Sequence, residues 1–126
     1  ARTTLEEQFQ GIENCEIGNI FLDPVTNKPS GNYFVENKLQ PCSLGEAASY
    51  CVNDTFYGLN VWQVSIPYRG PFSVHAIYFK EDVSTAADAL KNKIDLKISS
   101  KKRKPTLIAD PKKHGSSVIY CDQYSE

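Results

Sequence analysis

The sequence contains no methionine, only two histidines and a single tryptophan among its 126 residues. A chain without methionine does not begin at its own initiator, so we expect that a segment before Ala1 was removed, either as a cleaved secretion signal or by deliberate trimming. No apolar run is long enough to cross a bilayer, and we expect no membrane contact. With 40% hydrophobic and 23% charged residues, we predict one soluble domain over 1–126, in which 1–11 form a short helix or a loose tail.

Several common active-site motifs are also missing from the sequence. The chain has neither a G-x-S-x-G nucleophile elbow nor the G-x-x-x-x-G-K loop that cradles phosphates. With only two histidines and no closely spaced cysteine pair, a zinc site is not expected, and no cofactor is predicted.

Four cysteines form an even set in a small chain, namely Cys15, Cys42, Cys51 and Cys121. Such a set favours two disulfides and an oxidising, extracellular compartment. Three pairings are possible, and the sequence does not decide among them; we favour Cys15–Cys121, which ties the ends together, and Cys42–Cys51, which closes a local loop. The stretch Asn53-Asp54-Thr55 has the N-x-Thr pattern of an N-glycosylation acceptor. A glycan on Asn53 would be consistent with a secreted protein.

The densest apolar run, Asn60–Lys80, predicts a β-hairpin that supplies the core of a sheet. Its first half has period two, with one set of residues alternating with another: Val61, Gln63 and Ser65 against Trp62, Val64 and Ile66. Pro67–Pro71 holds two prolines and a glycine, which favour a tight reversal. We interpret Trp62 and His75 as structural residues, with ligand contact as the alternative.

Helices and further strands are predicted on both sides of this hairpin. Ser43 and Glu46 have the spacing of a capping box, so a short helix is predicted over Ser43–Val52. A second helix is predicted over Ser84–Ile94. The closing strands are predicted over Thr106–Ala109 and Ser116–Tyr120. This order indicates an α+β fold, in which one helix packs on a mainly antiparallel, twisted sheet and a second helix is an insertion.

The net charge of -1 hides an asymmetry along the chain. Residues 1–90 carry 5 Lys and Arg against 11 Asp and Glu, a net of -6, whereas residues 91–126 carry 9 against 4, a net of +5. We interpret the basic part as a surface for RNA or another partner, with a plain solvated face as the alternative. The candidate binding residues are Lys101, Lys102, Arg103, Lys104, Lys112 and Lys113.

An acid–base site for RNA cleavage is the main alternative to simple binding. A histidine pair with a glutamate and an arginine can cleave RNA by general acid–base chemistry. These residue types are present as His75, His114, Glu81 and Arg69. Because His75 falls on a predicted central strand and His114 in a polar turn, we interpret both as non-catalytic and assign no catalytic residue.

Three stretches carry a resemblance to the fungal guanyl-specific ribonucleases and to their secreted relatives, the RNase-like effectors of powdery mildew fungi (the RALPH group). Ser43–Val52 resembles the packed helix that precedes the sheet in that family. Pro67–Phe72, followed by Ala76–Phe79, is similar to the family's proline–aromatic turn and the strand after it. Thr106–Asp110 with Gly115–Tyr120 is similar to its closing hairpin.

The chain departs from the ribonucleases at all four of the family's acid–base and phosphate-binding positions. Tyr68 stands where the family has a histidine, Thr106 where it has an arginine, and Cys121 where it has a final histidine. Apolar residues around Ile77 stand in place of the family's glutamate. The Tyr-x-Cys motif of the mildew group is also missing before Cys15. The resemblance therefore implies a monomeric, secreted virulence effector with an RNase-like fold and without ribonuclease chemistry.

Under this resemblance, the expected function is recognition of a host target. The target is a host protein or host RNA, and the resemblance allows delivery into the host cell and detection by a plant immune receptor. Two alternatives stay open: an active secreted ribonuclease that uses His75 and His114, and a small secreted, disulfide-stabilised inhibitor or toxin of unrelated fold.

Overall fold

A computed structural model describes residues 3–12, 22–23, 25–26, 28–29, 31–45, 47–68, 75–91 and 105–121. These ranges contain α1 (Leu5–Gln8), α2 (Asn32–Glu36), β1 (Ser43–Leu44), β2 (Ala47–Phe56), β3 (Leu59–Pro67), β4 (His75–Phe79), α3 (Val83–Leu90), β5 (Thr106–Ala109) and β6 (Ser117–Cys121). The strands form one sheet in the order β1-β2-β3-β4-β6-β5, and every neighbouring pair is antiparallel. The predicted α+β fold with an antiparallel sheet is therefore confirmed.

Both predicted hairpins are part of this sheet. In the first, β3 pairs with β4 and Val64 lies opposite Ile77. In the second, β5 pairs with β6 and Ile108 lies opposite Val118. β4 lies between β3 and β6, so it is a central strand as predicted. Positions 69–74, which include most of the predicted turn of the first hairpin, lie outside the described residues.

The helices share one hydrophobic core with one face of the sheet. The helical segments supply Leu5, Phe9, Phe34, Ala86 and Leu90, each at most 1% exposed. The strands supply alternate residues to the same cluster, namely Tyr50, Val64, Ile66, Ile77, Phe79 and Ile119. Because side chains alternate between the faces of a strand, the residues between these positions point to the opposite side of the sheet.

The N-terminal segment takes the short-helix alternative. The Thr4 hydroxyl accepts a hydrogen bond from the Glu7 backbone N–H at 3.1 Å, and the Glu7 carboxylate accepts one from the Thr4 N–H at 3.2 Å. This reciprocal capping box starts α1 and satisfies two backbone donors that the helix leaves open. Phe9 and Ile12 follow the helix and are both buried, so the segment is packed onto the core.

The helix after β4 starts one residue earlier than predicted. The Asp82 carboxylate accepts a hydrogen bond from the Thr85 backbone N–H at 2.8 Å, so Asp82 is the N-cap and α3 begins at Val83. That backbone hydrogen bond favours the ionised carboxylate and lowers the pKa of Asp82. The predicted end of the helix, Ile94, lies outside the described residues.

The predicted helix over Ser43–Val52 is wrong, because this segment contains β1 and the first six residues of β2. Ala48 and Tyr50 are buried while their neighbours in β2 are less so, which is the alternation of a half-buried strand. Leu44, which a helix would have packed inward, is 54% exposed. The segment forms a strand despite its capping-box spacing, because its apolar residues have a period of two and β3 is available as a pairing partner. The helix before the sheet is α2 instead.

The predicted Cys42–Cys51 disulfide is present, with its two Cα atoms 5.9 Å apart. It reinforces a hydrogen bond from the Cys42 N–H to the Ser49 carbonyl at 2.8 Å, beside the edge strand β1. Cys121 is also disulfide-bonded, and Cys15, its predicted partner, lies outside the described residues. The first bridge therefore holds a two-residue edge strand against β2.

We expect the double variant Cys42→Ala/Cys51→Ala to lose about 2–3 kcal/mol of unfolding free energy, measured by urea denaturation. Both side chains are exposed, so little packing is lost and the effect comes from the unfolded chain, in which the bridge closes a loop of sequence separation 9. Leu44→Ala on the same edge strand is the matched control, with an expected change below about 0.5 kcal/mol. An unchanged urea midpoint in the double variant would contradict this role of the bridge.

Candidate binding cavity on the sheet

A cavity of about 390 Å³ lies on the face of the sheet opposite the core. Its lining includes three aromatic rings and two charged side chains, namely Trp62, Tyr78, Tyr120, Asp110 and Lys112. Tyr78 lies on β4 between the core residues Ile77 and Phe79, which places the cavity and the core on opposite sides. This volume lies within the range of small-molecule sites.

A β-bulge in β3 turns Trp62 toward the cavity. Val61 pairs with Phe79 and Gln63 pairs with Tyr78, so Trp62 is an extra residue between two consecutive pairs. Such bulges re-aim a side chain and often lie beside functional sites. As a result, Trp62 and its neighbour Gln63 both line the cavity.

This bulge overturns the strict alternation read from the sequence. That pattern grouped Trp62 with Val64 and Ile66, but the structure places Val61 in the core with these two residues. Trp62 faces the other side of the sheet. The predicted alternation therefore fails at Trp62, because one inserted residue shifts it by a single position. The interpretation of Trp62 as a structural residue stays a prediction.

The aromatic rings form the apolar surface of the cavity. The ring centroids of Trp62 and Tyr78 lie 5.5 Å apart at an interplanar angle of 60°. Tyr120 lies opposite Ala76 in the pairing of β6 with β4, and both line the cavity. Within the part of the chain that the structure describes, the buried Trp62 Nε1 has no hydrogen-bond partner. The arrangement offers aromatic rings on which a planar ligand can stack.

The turn after β5 is built by the residue types that such a turn requires. The Asp110 carboxylate accepts a hydrogen bond from the Lys112 backbone N–H at 2.9 Å, and the Asp110 N–H donates to the Ser116 carbonyl at 3.0 Å. Pro111 follows Asp110, and Gly115 takes a φ of 82°, a left-handed conformation in which glycine has no Cβ penalty. The turn therefore holds Lys112 and the residue after it beside the sheet.

Two of the predicted binding residues lie at the cavity. Lys112 lines it, and Lys113 Nζ lies 4.2 Å from the centroid of the Trp62 ring, a cation–π contact. The predicted residues of the basic run, Lys101, Lys102, Arg103 and Lys104, lie outside the described residues.

Asp110 contributes a carboxylate that its turn uses only in part. The side chain is 7% exposed, and one oxygen, Oδ1, accepts the hydrogen bond from Lys112. The other oxygen, Oδ2, is buried and has no partner among the described residues. A buried carboxylate oxygen without a donor is costly, so Oδ2 favours a ligand that brings one.

The acid–base residues considered for RNA cleavage do not meet at this cavity. His75 lies on β4 beside Ala76, so it shares the core face with Ile77, and it is 5% exposed. His114 is exposed in the turn, and Glu81 accepts hydrogen bonds from the backbone and side-chain nitrogens of Asn60 at 2.9–3.1 Å. None of these three lines the cavity, and Arg69 lies outside the described residues.

A second groove lies beside Tyr33, and its lining includes Cys51 of the disulfide. The Tyr33 hydroxyl donates to the Asp54 carboxylate at 2.7 Å, and burial together with this contact raises the pKa of Tyr33. The predicted glycosylation residue Asn53 is exposed beside Asp54 and lines a groove with Tyr33.

Sequence reasoning missed the residues that define the cavity. Tyr78, Tyr120 and Asp110 were not singled out, because a tyrosine on a strand and an aspartate before a proline are both common structural residues. The signal that could have found them is their shared face: Ala76 and Tyr78 alternate with core residues, and the same alternation holds for Val118 and Tyr120. That register becomes visible only once β4 and β6 are paired.

Comparison with known proteins gives no relative for this chain: no family model, no curated protein and no solved structure matches it. Among the described residues, no helix is long and apolar enough to span a membrane. Across the same residues, no group of three or more histidine, cysteine, aspartate or glutamate side chains is placed to hold a metal ion.

Proposed function

We propose that this protein is a secreted, RNase-like effector that binds single-stranded RNA of its host without cleaving it. The RNA binds on the face of the sheet opposite the core, which we call the cavity face. The observation that carries the proposal is the cavity in which Trp62, Tyr78 and Tyr120 meet Lys112 and Lys113. Single-stranded nucleic acid sites combine aromatic stacking platforms with cations that follow the phosphates.

The electrostatics of the chain support the same function. The two cavity lysines belong to the basic part of the chain, residues 91–113, which carries 9 positive and 2 negative charges. Cationic side chains beside an aromatic cavity attract phosphates over a distance, and the rings stack on the bases at close range.

The positions of the histidines support binding without cleavage. General acid–base catalysis needs both groups within hydrogen-bond reach of one reacting centre. His75 lies on the core face and His114 is exposed in the turn, so the sheet separates His75 from a ligand in the cavity. The proposed role is therefore sequestration of host RNA, with detection by a plant immune receptor as a consequence of the effector resemblance.

The test is a titration of a fluorescently labelled single-stranded RNA oligonucleotide, followed by anisotropy at several salt concentrations. We expect the affinity to fall steeply with salt, because each phosphate contact on single-stranded RNA contributes about -0.7 to the slope of log K against log salt. Lys112→Gln/Lys113→Gln should therefore reduce the slope by about 1.4 if each lysine contacts one phosphate. Neutralising Lys101–Lys104 measures the contribution of the basic run in the same way.

Lys91→Gln is the matched control, because Lys91 is exposed at the end of α3, a helix that packs on the core face. This control should leave the slope unchanged. Absence of RNA binding, or binding that the cavity variants do not alter, would overturn the proposal, and a host protein captured through the cavity would replace RNA as the target.

A further inference from the structure

The ring that the proposed RNA site uses for stacking already carries a cation of the chain itself. Lys113 Nζ lies 4.2 Å from the Trp62 ring centroid. A cation over a tryptophan ring is attracted by the ring's quadrupole, more strongly where water is excluded. A neutral base that takes this face must displace Lys113 and forfeits that attraction. A positively charged base exchanges one cation–π contact for another.

The unpartnered oxygen of Asp110 favours the same kind of ligand. Asp110 lines the cavity, is 7% exposed, and keeps Oδ2 without a hydrogen-bond partner among the described residues. Oδ2 is shielded from solvent, so its charge acts on a ligand in the cavity through a medium of low dielectric constant. A ligand with positive charge and N–H donors is stabilised there, whereas a phosphate is repelled.

The lysines supply the opposite preference at the rim. Lys112 lines the cavity, and Lys113, once displaced from the Trp62 ring, is free to reach a phosphate. The cavity therefore favours a ligand in which a flat, cationic ring with N–H donors is joined to a phosphate. We propose that it takes a nucleotide whose base carries a fixed positive charge, of the class of N7-methylguanosine phosphates. This inference rests on the proposed RNA binding and narrows it to a methylated, cationic base.

The sole tryptophan makes the site directly observable, because the intrinsic tryptophan fluorescence of the chain comes from Trp62 alone. We would titrate N7-methyl-GMP and GMP in mildly acidic buffer, in which the methylated base keeps its N1 proton. We expect the methylated nucleotide to bind roughly tenfold more tightly, since a desolvated cation–π contact is of that order. Asp110→Asn should remove much of this preference while it changes GMP binding less.

The variant Lys113→Gln tests whether Lys113 moves from the Trp62 ring to the ligand phosphate or has only a structural role. The variant vacates the Trp62 ring, so N7-methylguanosine without phosphate should bind more tightly to it than to the unmodified protein. N7-methyl-GMP should gain less, because the same substitution removes a phosphate contact. Equal effects on nucleoside and nucleotide would contradict the exchange of Lys113 between ring and phosphate.

Three outcomes overturn the inference, and they differ in what they leave standing. If single-stranded RNA quenches Trp62 but the methylated and unmethylated nucleotides bind equally, the preference is wrong and RNA binding stands. If argininamide binds as tightly as the methylated nucleotide, the cavity is a cation site for protein side chains. If neither RNA nor nucleotide changes the fluorescence of Trp62, the inference and the proposed function fail together.

Discussion

Substituting Trp62 by alanine is expected to weaken binding of single-stranded RNA by roughly 5- to 150-fold. Stacking of one base on one aromatic ring contributes about 1–3 kcal/mol by alanine substitution. Trp62 has the largest aromatic ring in the cavity, and the bulge in β3 places this ring on the side of the sheet that carries the cavity. The variant also removes the ring on which Lys113 rests. The dissociation constant from anisotropy measures the effect.

Two further variants show whether the loss of affinity belongs to the ring. Trp62→Phe keeps a stacking surface and should recover most of the affinity, although it loses the indole N–H. His114→Ala changes the same rim of the molecule without a lining residue and should bind as the unmodified protein does. An affinity that Trp62→Ala leaves intact would mean that RNA binds elsewhere.

Substituting Phe34 by alanine is expected to lower the free energy of unfolding by about 3–5 kcal/mol, which is a large share of the stability of a domain of this size. Phe34 is fully buried, and its ring lies 4.8 Å from that of Tyr50 and 5.6 Å from that of Tyr33, centroid to centroid. Truncation opens a cavity between α2 and β2. Denaturation by urea, followed by the near-ultraviolet circular dichroism, measures the loss.

Val35→Ala is the control for this prediction, because Val35 is the next residue of α2 and is 59% exposed. We expect it to change the free energy of unfolding by less than about 0.5 kcal/mol. Phe34→Leu should fall between the two variants, since it restores part of the buried volume. Similar losses in Phe34→Ala and Val35→Ala would show that α2 does not anchor the core.

The strands that pair with their sequence neighbours were predictable from the chain, whereas the segment Ser43–Val52 was not. The hairpins β3–β4 and β5–β6 have apolar runs interrupted by turn residues, and these local signals agree with the sheet. Ser43–Val52 carries conflicting signals: a capping-box spacing for a helix, and Tyr50, Val52 and Phe56 close by for a strand. The conflict was settled by the pairing of Tyr50 with Val64, a contact that the local sequence does not show.

The candidate site was predictable only at its lysines. A cluster of basic residues can be read directly from a sequence. The face on which a strand residue lies can be predicted only where the alternation of side chains is unbroken. The bulge at Trp62 breaks the alternation, and no glycine or proline marks it. The Asp110 oxygen that has no partner among the described residues, Oδ2, was equally hidden, because an aspartate before a proline is typical of a turn and its other oxygen does serve the turn.

The loss of the predicted helix also bears on the family resemblance. Of the three stretches that carried it, Ser43–Val52 forms strands instead of a packed helix, whereas the closing hairpin is present as β5–β6. The proposed RNA binding therefore depends on the cavity and its chemistry, whereas the effector role is drawn from the resemblance.

The central claim is that the cavity face of the sheet binds RNA and that the protein does not cleave it. One experiment tests both parts. A single-stranded RNA oligonucleotide labelled at its end is incubated with the purified protein, and samples are divided between a binding assay and a denaturing gel. Our account predicts a complex that depends on Trp62 and an oligonucleotide that keeps its full length. Cleavage that disappears in both His114→Ala and His75→Asn would contradict it and would make the protein a ribonuclease.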